Sequence, residues 1–302
     1  MEKRKRSLAI DILNGSMWDK IMRYALPVAA TGILGQLFNA SDIAIVGNFA
    51  QGDTVAAVAA VGANGPVIGL LLNIFIGIAL GANVVIANAI GRGDSNTVSR
   101  AVHTSIVAAV LGGIIVGLLG QLLAEPVLSM LQVPEDVFPL ALKYMRIYLL
   151  GLPVIFLYNF EAAIFRSAGD TNTPLVALAL SGVLNVILNL FFVVVLNKTV
   201  DGVAIATVLA NVVSSVVLLR RLLRSELFIH VEFKNLRIDW KILWRILKIG
   251  VPAGIQGAVF SLSNIVVQSA INSLGKVTMA ASSAAFNVEV MAYYILNSFG
   301  QA

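Results

Sequence analysis

The segment Ile33-Leu-Gly-Gln-Leu-Phe-Asn-Ala-Ser-Asp-Ile-Ala-Ile-Val-Gly-Asn-Phe49 carries one acidic side chain, Asp42, in the middle of an otherwise apolar stretch. The nearest preceding basic residue is Arg23. A charged side chain at the centre of a bilayer costs roughly 2.5–3.5 kcal/mol on insertion scales, and it is retained where it pairs or lines an ion or proton path. We therefore predict a functional role for Asp42. The alternative is a buried polar residue that ties helices together.

The composition excludes an ordinary soluble enzyme. Of the 302 residues, 58% are hydrophobic and 12% are charged, whereas a soluble domain carries about 25% charged residues. There is no cysteine, and the two histidines, His103 and His230, lie far apart; we expect each to be a polar residue at a membrane boundary. No phosphate-binding glycine loop or zinc-protease helix occurs. We therefore predict a protein that is not an enzyme and has no cofactor.

Apolar stretches long enough to cross a membrane recur along the whole chain. A transmembrane helix needs about 20 predominantly apolar residues. Eight stretches meet this requirement, and turn residues such as those of Gly91-Arg-Gly-Asp94 separate them. The predicted spans are 21–48, 54–90, 102–123, 138–159, 174–196, 202–220, 247–272 and 278–302.

The basic residues indicate the orientation of these spans. If the N-terminus is cytoplasmic, 17 of the 21 lysines and arginines fall on the inner side, as the positive-inside rule requires. The polar N-terminal segment lacks the features of a cleavable signal peptide. We read the net charge of +5 as an orientation signal, and we predict an integral protein of the bacterial plasma membrane that contacts lipids, binds no nucleic acid and needs no obligate protein partner.

A repeat divides the chain into two units. A shift of 225 positions places Pro27 on Pro252 and Asn39 on Asn264. Because six predicted spans separate the two starts, both copies have the same orientation, which is typical of transporters with parallel repeats. The predicted fold is an all-α polytopic membrane helix bundle with one complete six-helix lobe and the first two helices of a second lobe. The predicted divisions are a basic N-terminus at 1–20, the first lobe at 21–220, a linker at 221–246 and the start of the second lobe at 247–302.

Two expectations concern the ends of these units. The linker alternates basic with aliphatic and aromatic residues, which suits an amphipathic helix on the inner leaflet; a solvated connector is equally compatible. The chain ends within apolar sequence after the eighth span, so we expect a fragment or a shortened reading frame.

Three motifs resemble those of the multidrug and toxic compound extrusion (MATE) family of secondary antiporters. The first span has the family's proline-to-aspartate layout, from Pro27 to Asp42. The end of the second span, Asn88-Ala-Ile-Gly-Arg-Gly-Asp94, is similar to its inner loop. The most specific motif, Phe165-Arg-Ser-Ala-Gly-Asp-Thr-Asn-Thr-Pro174, follows the fourth span.

The resemblance implies two six-helix lobes around a cavity and export of small amphipathic, often cationic compounds in exchange for protons or sodium. It also implies a cation-coupling site made of Asp42, Asn185, Asn189 and Thr207. The departure is Asn189, where many members carry a carboxylate. One negative charge fewer should weaken sodium binding, because hard cations prefer several, preferably anionic, oxygens. No metal site is expected beyond a possible sodium.

Further polar residues are candidates for the substrate cavity. Asn39 lies three positions before Asp42 on the same helical face, and Gln36 is a weaker candidate. Glu289 is a second acid within a predicted span and falls on Asn64 in the repeat; an inner-boundary carboxylate that reaches solvent is its alternative interpretation. The predicted cavity residues are Gln36, Asn39, Asn64, Asn264 and Glu289.

Two other functions remain open from the sequence. A lipid-linked oligosaccharide flippase of the same superfamily is one. Such proteins usually line their cavity with basic residues, whereas the first-lobe spans have few interior lysines or arginines, with Lys143 and Arg146 near the outer end of the fourth span as the exceptions. An inactive, truncated remnant is the other.

Overall fold

A computed structural model describes residues 17–131, 133–225, 228–272, 292–293 and 295–300 of the chain. The described residues form seven long α-helices, and each is apolar and long enough to cross a membrane. The helices are α1 (Met17–Phe49), α2 (Thr54–Gly91), α3 (Ser95–Met130), α4 (Phe138–Ser167), α5 (Asn172–Leu190), α6 (Val200–Leu223) and α7 (Trp240–Asn272). A π-helical turn, Phe191–Val195, extends α5.

These helices confirm the all-α membrane bundle and the first seven predicted spans. Several helices exceed the predicted spans, most clearly α3, because the hydrogen-bond ladder continues beyond the apolar segment. The eighth predicted span, 278–302, lies mostly outside the described residues; within it, residues 292–293 and 295–300 are helical.

Short capped turns explain why the helices begin where they do. Asp53 and Asp94 each accept a hydrogen bond of 3.0 Å from a backbone N–H in the first turn of α2 and α3. Asp170 does the same for α5, with 2.9 Å to Thr173 N. Gly93 and Gly169 have φ values of +70° and +79°, a conformation that glycine adopts without strain and that commonly ends a helix.

The first six helices pack into one lobe around α4, which contacts α2, α3 and α6 along its length. Helix α1 lies mainly against α5 and contacts α2 less extensively. Two apolar cores fill this lobe. Phe156 and Leu152 are in one core and Phe160 and Ile164 in the other, and all four are buried. Helix α6, which packs against both α4 and α5, connects the centre of the lobe to the pair formed by α1 and α5.

Helix α7 packs closely against α2 through glycines on both helices. Gly77 and Gly81 of α2 face Gly250 and Gly254 of α7, four residues apart in each case. A Cβ added at Gly250 would lie 2.9 Å from Gly77 O, and one at Gly254 would lie 2.6 Å from Ile74 O. Small residues at this spacing let helix backbones approach closely in a membrane.

The connection between α6 and α7 is shorter than the predicted linker of 221–246, because α6 continues to Leu223 and α7 begins at Trp240. The described part of this connection contains a 3-10 turn, Phe233–Asn235. The amphipathic pattern instead belongs to the first turns of α7, where Trp240 and Trp244 are exposed while Ile242 and Ile246 are buried.

Polar side chains of α3 fix this connection in place. His103 is buried, and its Nε2 accepts a hydrogen bond of 3.0 Å from Glu232 N. Thr104 Oγ1 accepts one of 3.1 Å from Asp239 N, and Arg100 forms an ion pair with Asp239. His103 therefore does more than mark a membrane boundary: it positions the segment that leads into α7.

Candidate functional site

The candidate site lies between α1, α5 and α6. Asp42 precedes the end of α1 by seven residues, Asn189 lies at the end of α5, and Thr207 follows the start of α6 by seven residues. At 1.5 Å per residue, seven residues correspond to about 10 Å, so these side chains reach a similar depth. That depth is in the half of the bundle predicted to face outside.

The local sequence explains why these polar groups converge. Asn185 and Asn189 are four residues apart, so they lie on one face of α5. Both are buried, as is Asp42, which is 4% exposed. The other face of α5 exposes apolar side chains such as Leu180 and Val183. The polar face of α5 therefore turns inward, towards α1 and α6.

Four side chains form one hydrogen-bonded cluster. Asn189 Nδ2 donates to Asp42 Oδ1 over 2.5 Å, and Thr207 Oγ1 lies 3.1 Å from Asp42 Oδ2. Asn185 connects the two donors, with its Nδ2 3.3 Å from Thr207 Oγ1 and its Oδ1 3.2 Å from Asn189 Nδ2. The structure thus brings together all four residues of the predicted coupling site, while their role in coupling stays a prediction.

One acceptor in the cluster has no partner among the described residues. Asn189 Oδ1 is buried and accepts no hydrogen bond. An unsatisfied buried acceptor is costly, by about 1–3 kcal/mol. Together with the two oxygens of Asp42, Thr207 Oγ1 and Asn185 Oδ1, it makes a set of oxygens that suits a hard cation or a proton.

Among the described residues, no basic side chain forms an ion pair with Asp42. Its neighbours are neutral amide and hydroxyl groups. Hydrogen-bond donors favour the charged form of a carboxylate, whereas burial favours the neutral form. The arrangement can therefore hold a proton or a cation without a permanent counter-ion.

The predicted cavity residues are more scattered. Asn39 is exposed on α1 and Gln36 is half-buried. Asn64 is fully buried and donates from Nδ2 to Ala60 O at 2.7 Å and to Ala141 O at 3.0 Å, which ties α2 to α4. The structure thus gives Asn64 an interhelical bond, and its place in a cavity stays a prediction. Two further candidates lie outside the described residues: Glu289, and the side chain of Asn264.

Two features, one near this cluster and one in the other half of the lobe, were not among the predicted site residues. Tyr144 and Tyr148 of α4 are buried within electrostatic reach of Asp42; their four-residue spacing was the available signal. In the other half of the lobe, Glu161 of α4 is fully buried and accepts a hydrogen bond of 2.9 Å from Ser215 Oγ of α6.

Comparison with known proteins identifies the class to which this bundle belongs. The MatE family model matches residues 27–191, a range that includes Asp42, Asn185 and Asn189. The chain therefore belongs to the MatE family of multidrug and toxic compound extrusion transporters, and it is not an enzyme.

Relatives agree with this assignment, and a solved structure shares the fold. The chain is 26% identical over 268 residues to "Probable multidrug resistance protein YpnP" and 29% identical over 275 residues to "Probable multidrug resistance protein YoeA", both of Bacillus subtilis. These alignments cover 88% of this chain and 59% and 58% of the relatives. A MOP superfamily transporter from Pyrococcus furiosus has the same fold, with a TM-score of 0.87 and 23% identity, over 99% of this chain and 66% of that one.

Proposed function

We propose that this chain is part of a secondary antiporter that exports amphipathic, often cationic compounds in exchange for inward protons or sodium. The observation that carries the proposal is the buried cluster of Asp42, Asn189, Asn185 and Thr207. Family membership and the multidrug resistance names of relatives support export of toxic compounds.

The cluster fits a cation by its chemistry. A sodium ion would find the carboxylate of Asp42, the orphaned Asn189 Oδ1, Thr207 Oγ1 and Asn185 Oδ1 on three adjoining helices. Hard cations prefer several oxygen ligands. Asp42 is the one carboxylate in the set. A single carboxylate is enough to bind a proton, whereas sodium would need further oxygens to rearrange around it, so we expect a proton to be the coupling ion.

Protonation of Asp42 would change the hydrogen bonds between helices. The carboxylate now accepts from Asn189 on α5 and from Thr207 on α6. A protonated carboxyl group has a donor of its own, so one of these donors must turn away, and Asn189 Oδ1 can accept the new hydrogen bond. The contact of α1 with α5 and α6 would then differ between the two states, as a coupling residue requires.

A proline, Pro27, lies inside the same helix, α1. Pro27 removes one backbone hydrogen bond, and prolines inside helices commonly mark kinks. Thr31 Oγ1 donates to Pro27 O over 2.8 Å, and a threonine bond to the carbonyl four residues earlier often accompanies a bend in a helix. We infer that a change at Asp42 is transmitted along α1 to the segment around Pro27.

The basic residues predicted to lie near the outer rim do not favour a flippase. Lys143 and Lys198 both pair with Asp201, at 2.9 and 3.6 Å, and Arg146 lies 3.8 Å from Glu125. These three cations already have carboxylate partners, so they are poor candidates for holding the phosphates of a glycolipid.

Ethidium accumulation in a bacterial strain that lacks its own efflux pumps tests the proposal. Cells expressing the protein should accumulate less ethidium than cells without it, and an uncoupler should abolish the difference. Asp42→Asn should behave like the empty strain, whereas Asp136→Asn, which removes the same charge from an exposed loop, should export normally. If both variants export as the parent does, Asp42 is not the coupling residue.

A further inference from the structure

A cleft of about 580 Å³ opens at the end of the first lobe where α4 and α6 end and α5 begins. This is the end predicted to face the cytoplasm, far from Asp42. Its walls combine apolar and basic side chains, among them Phe165, Thr173, Val217, Arg220, Arg221 and Arg224.

The cleft is positively charged. Its three arginines are exposed, and none pairs with a carboxylate among the residues that the structure describes. The one acid in the wall, Asp170, is already engaged, because its two oxygens accept from Thr173 N at 2.9 Å and Thr173 Oγ1 at 2.6 Å. Arg221 Nη1 in turn donates to Thr173 Oγ1 over 3.2 Å, which fixes one guanidinium in the wall.

Two general effects also place basic residues at this end of a membrane bundle, without any ligand. Lysines and arginines follow the positive-inside rule, and cations at the C-terminal end of a helix such as α6 interact favourably with its dipole. Neither effect requires a concave site, and neither requires an apolar wall beside the arginines.

Apolar stripes lead from the bilayer-spanning part of the lobe to this cleft. On α5, Val176, Leu180, Val183 and Ile187 are exposed at the spacing of one helical face. On α6, Leu209 and Val216 are exposed, and Arg220 lies one turn beyond Val216 on the same face. Each stripe is an exposed apolar face that an acyl chain can cover, and Arg220 lies at the end of the α6 stripe.

We propose that this cleft binds the phosphate headgroup of an anionic phospholipid, with the acyl chains along α5 and α6. Guanidinium groups bind phosphate oxygens in bidentate geometry. Basic pockets between helices at the cytoplasmic boundary are suited to anionic headgroups. The lipid connects the α4–α5 turn with the end of α6, and its binding does not depend on the coupling role of Asp42.

The test is a binding titration of the purified protein in detergent with fluorescently labelled phosphatidylglycerol, read by anisotropy. The test variant is Arg220→Gln/Arg224→Gln, which retains Arg221 and its contact with Thr173. The matched control is Lys241→Gln/Arg245→Gln, which removes two exposed charges from the same predicted side, on α7. Monodisperse elution and unchanged thermal unfolding establish that both variants are folded.

The test variant should weaken binding by roughly tenfold or more, since each basic residue near a surface contributes about fivefold, while the control changes it far less. Unlabelled phosphatidylglycerol should compete, whereas phosphatidylcholine and millimolar inorganic phosphate should not. If both variants lose the same amount of lipid affinity, the net charge of the protein explains the binding and the proposal is overturned. Competition by phosphate would assign the cleft to a free anion, and competition by phosphatidylcholine would exclude headgroup recognition.

Discussion

Asn189 donates a hydrogen bond of 2.5 Å to Asp42, a residue 147 positions earlier in the chain. This contact joins the end of α5 to the second half of α1 in a fully buried location. The acceptor of the Asn189 side-chain amide, its Oδ1, has no partner among the described residues. When Asp42 is charged, it therefore accepts a hydrogen bond from Asn189 Nδ2. When Asp42 is protonated, Asn189 Oδ1 is available to accept a hydrogen bond from it.

Asn189→Ala should impair export more than Asn185→Ala. Of these two asparagines, Asn189 is the one that donates to the carboxylate in the cluster, and hydrogen bonds to charged groups are worth about 1.5–3 kcal/mol. We expect a loss of roughly tenfold or more for Asn189→Ala, measured as the initial rate of ethidium efflux. A larger loss for Asn185→Ala would contradict the direct role of Asn189.

Asn189→Asp should shift ion preference towards sodium. The substitution adds a second carboxylate at the cation oxygens, and anionic ligands favour hard cations. Export by the variant should rise with sodium concentration at constant pH more steeply than export by the parent. Asn48→Asp, which adds the same charge at an exposed position of α1 outside the cluster, is the matched control. An identical sodium dependence in parent and Asn189→Asp would contradict the prediction.

Gly77→Ala should destabilise the α2–α7 contact. A Cβ at Gly77 would lie 2.9 Å from Gly250 O and still closer to backbone atoms of Gly254, and overpacking of this kind costs about 1–3 kcal/mol. A Cβ at Gly69, on the same helix, would have no atom within 4 Å. Thermal unfolding should therefore shift down for Gly77→Ala and stay unchanged or rise for Gly69→Ala. Equal shifts in the unfolding temperature of the two variants would show that the close approach of α2 and α7 does not contribute to stability.

The Arg100–Asp239 ion pair should stabilise the α6–α7 connection down to acidic pH. Hydrogen bonds from the Arg100 guanidinium hold the pKa of Asp239 below its ordinary value, which is about 3.9. A carboxylate with a lowered pKa contributes stability that is complete above the ordinary value and is lost as pH falls through the lowered one.

Hydrogen exchange of the 228–243 segment measures this contribution. The difference in protection between the parent and Asp239→Asn should be constant above about pH 5 and disappear only in stronger acid. Taking the difference removes any shared effect of His103, which binds the same segment. A difference that vanishes near neutral pH would contradict the assignment.

The bundle could be predicted from local hydrophobic patterns, whereas most of the site was predicted from the family resemblance. Asp42 was evident from its apolar surroundings, and the resemblance supplied Asn185, Asn189 and Thr207. Which of these binds Asp42 directly was not predictable, since that depends on the register of α1 against α5. The glycine pairs of α2 and α7 were readable as patterns, but their contact required the packing of helices some 170 residues apart in sequence.

Other features could not be predicted from the sequence, because they depend on how the helices pack. Helices α6 and α7 extend into the predicted linker, because helix hydrogen bonding continues where apolar sequence stops. His103 carried no sequence signal for its bond to Glu232 N, which only the folded connection brings within reach. The hydrogen bond from Asn64 Nδ2 to Ala141 O of α4 was likewise not predictable, because only the folded bundle brings the two residues together.

The most direct test of the coupling role of Asp42 is ion exchange driven by substrate. The protein is reconstituted in vesicles with an imposed proton or sodium gradient, and release of the ion on addition of ethidium is followed with an ion-sensitive dye. The parent and Asp136→Asn should release the ion, whereas Asp42→Asn should release none. Ion release by Asp42→Asn at the parent's rate would contradict the central claim that Asp42 couples cation movement to export.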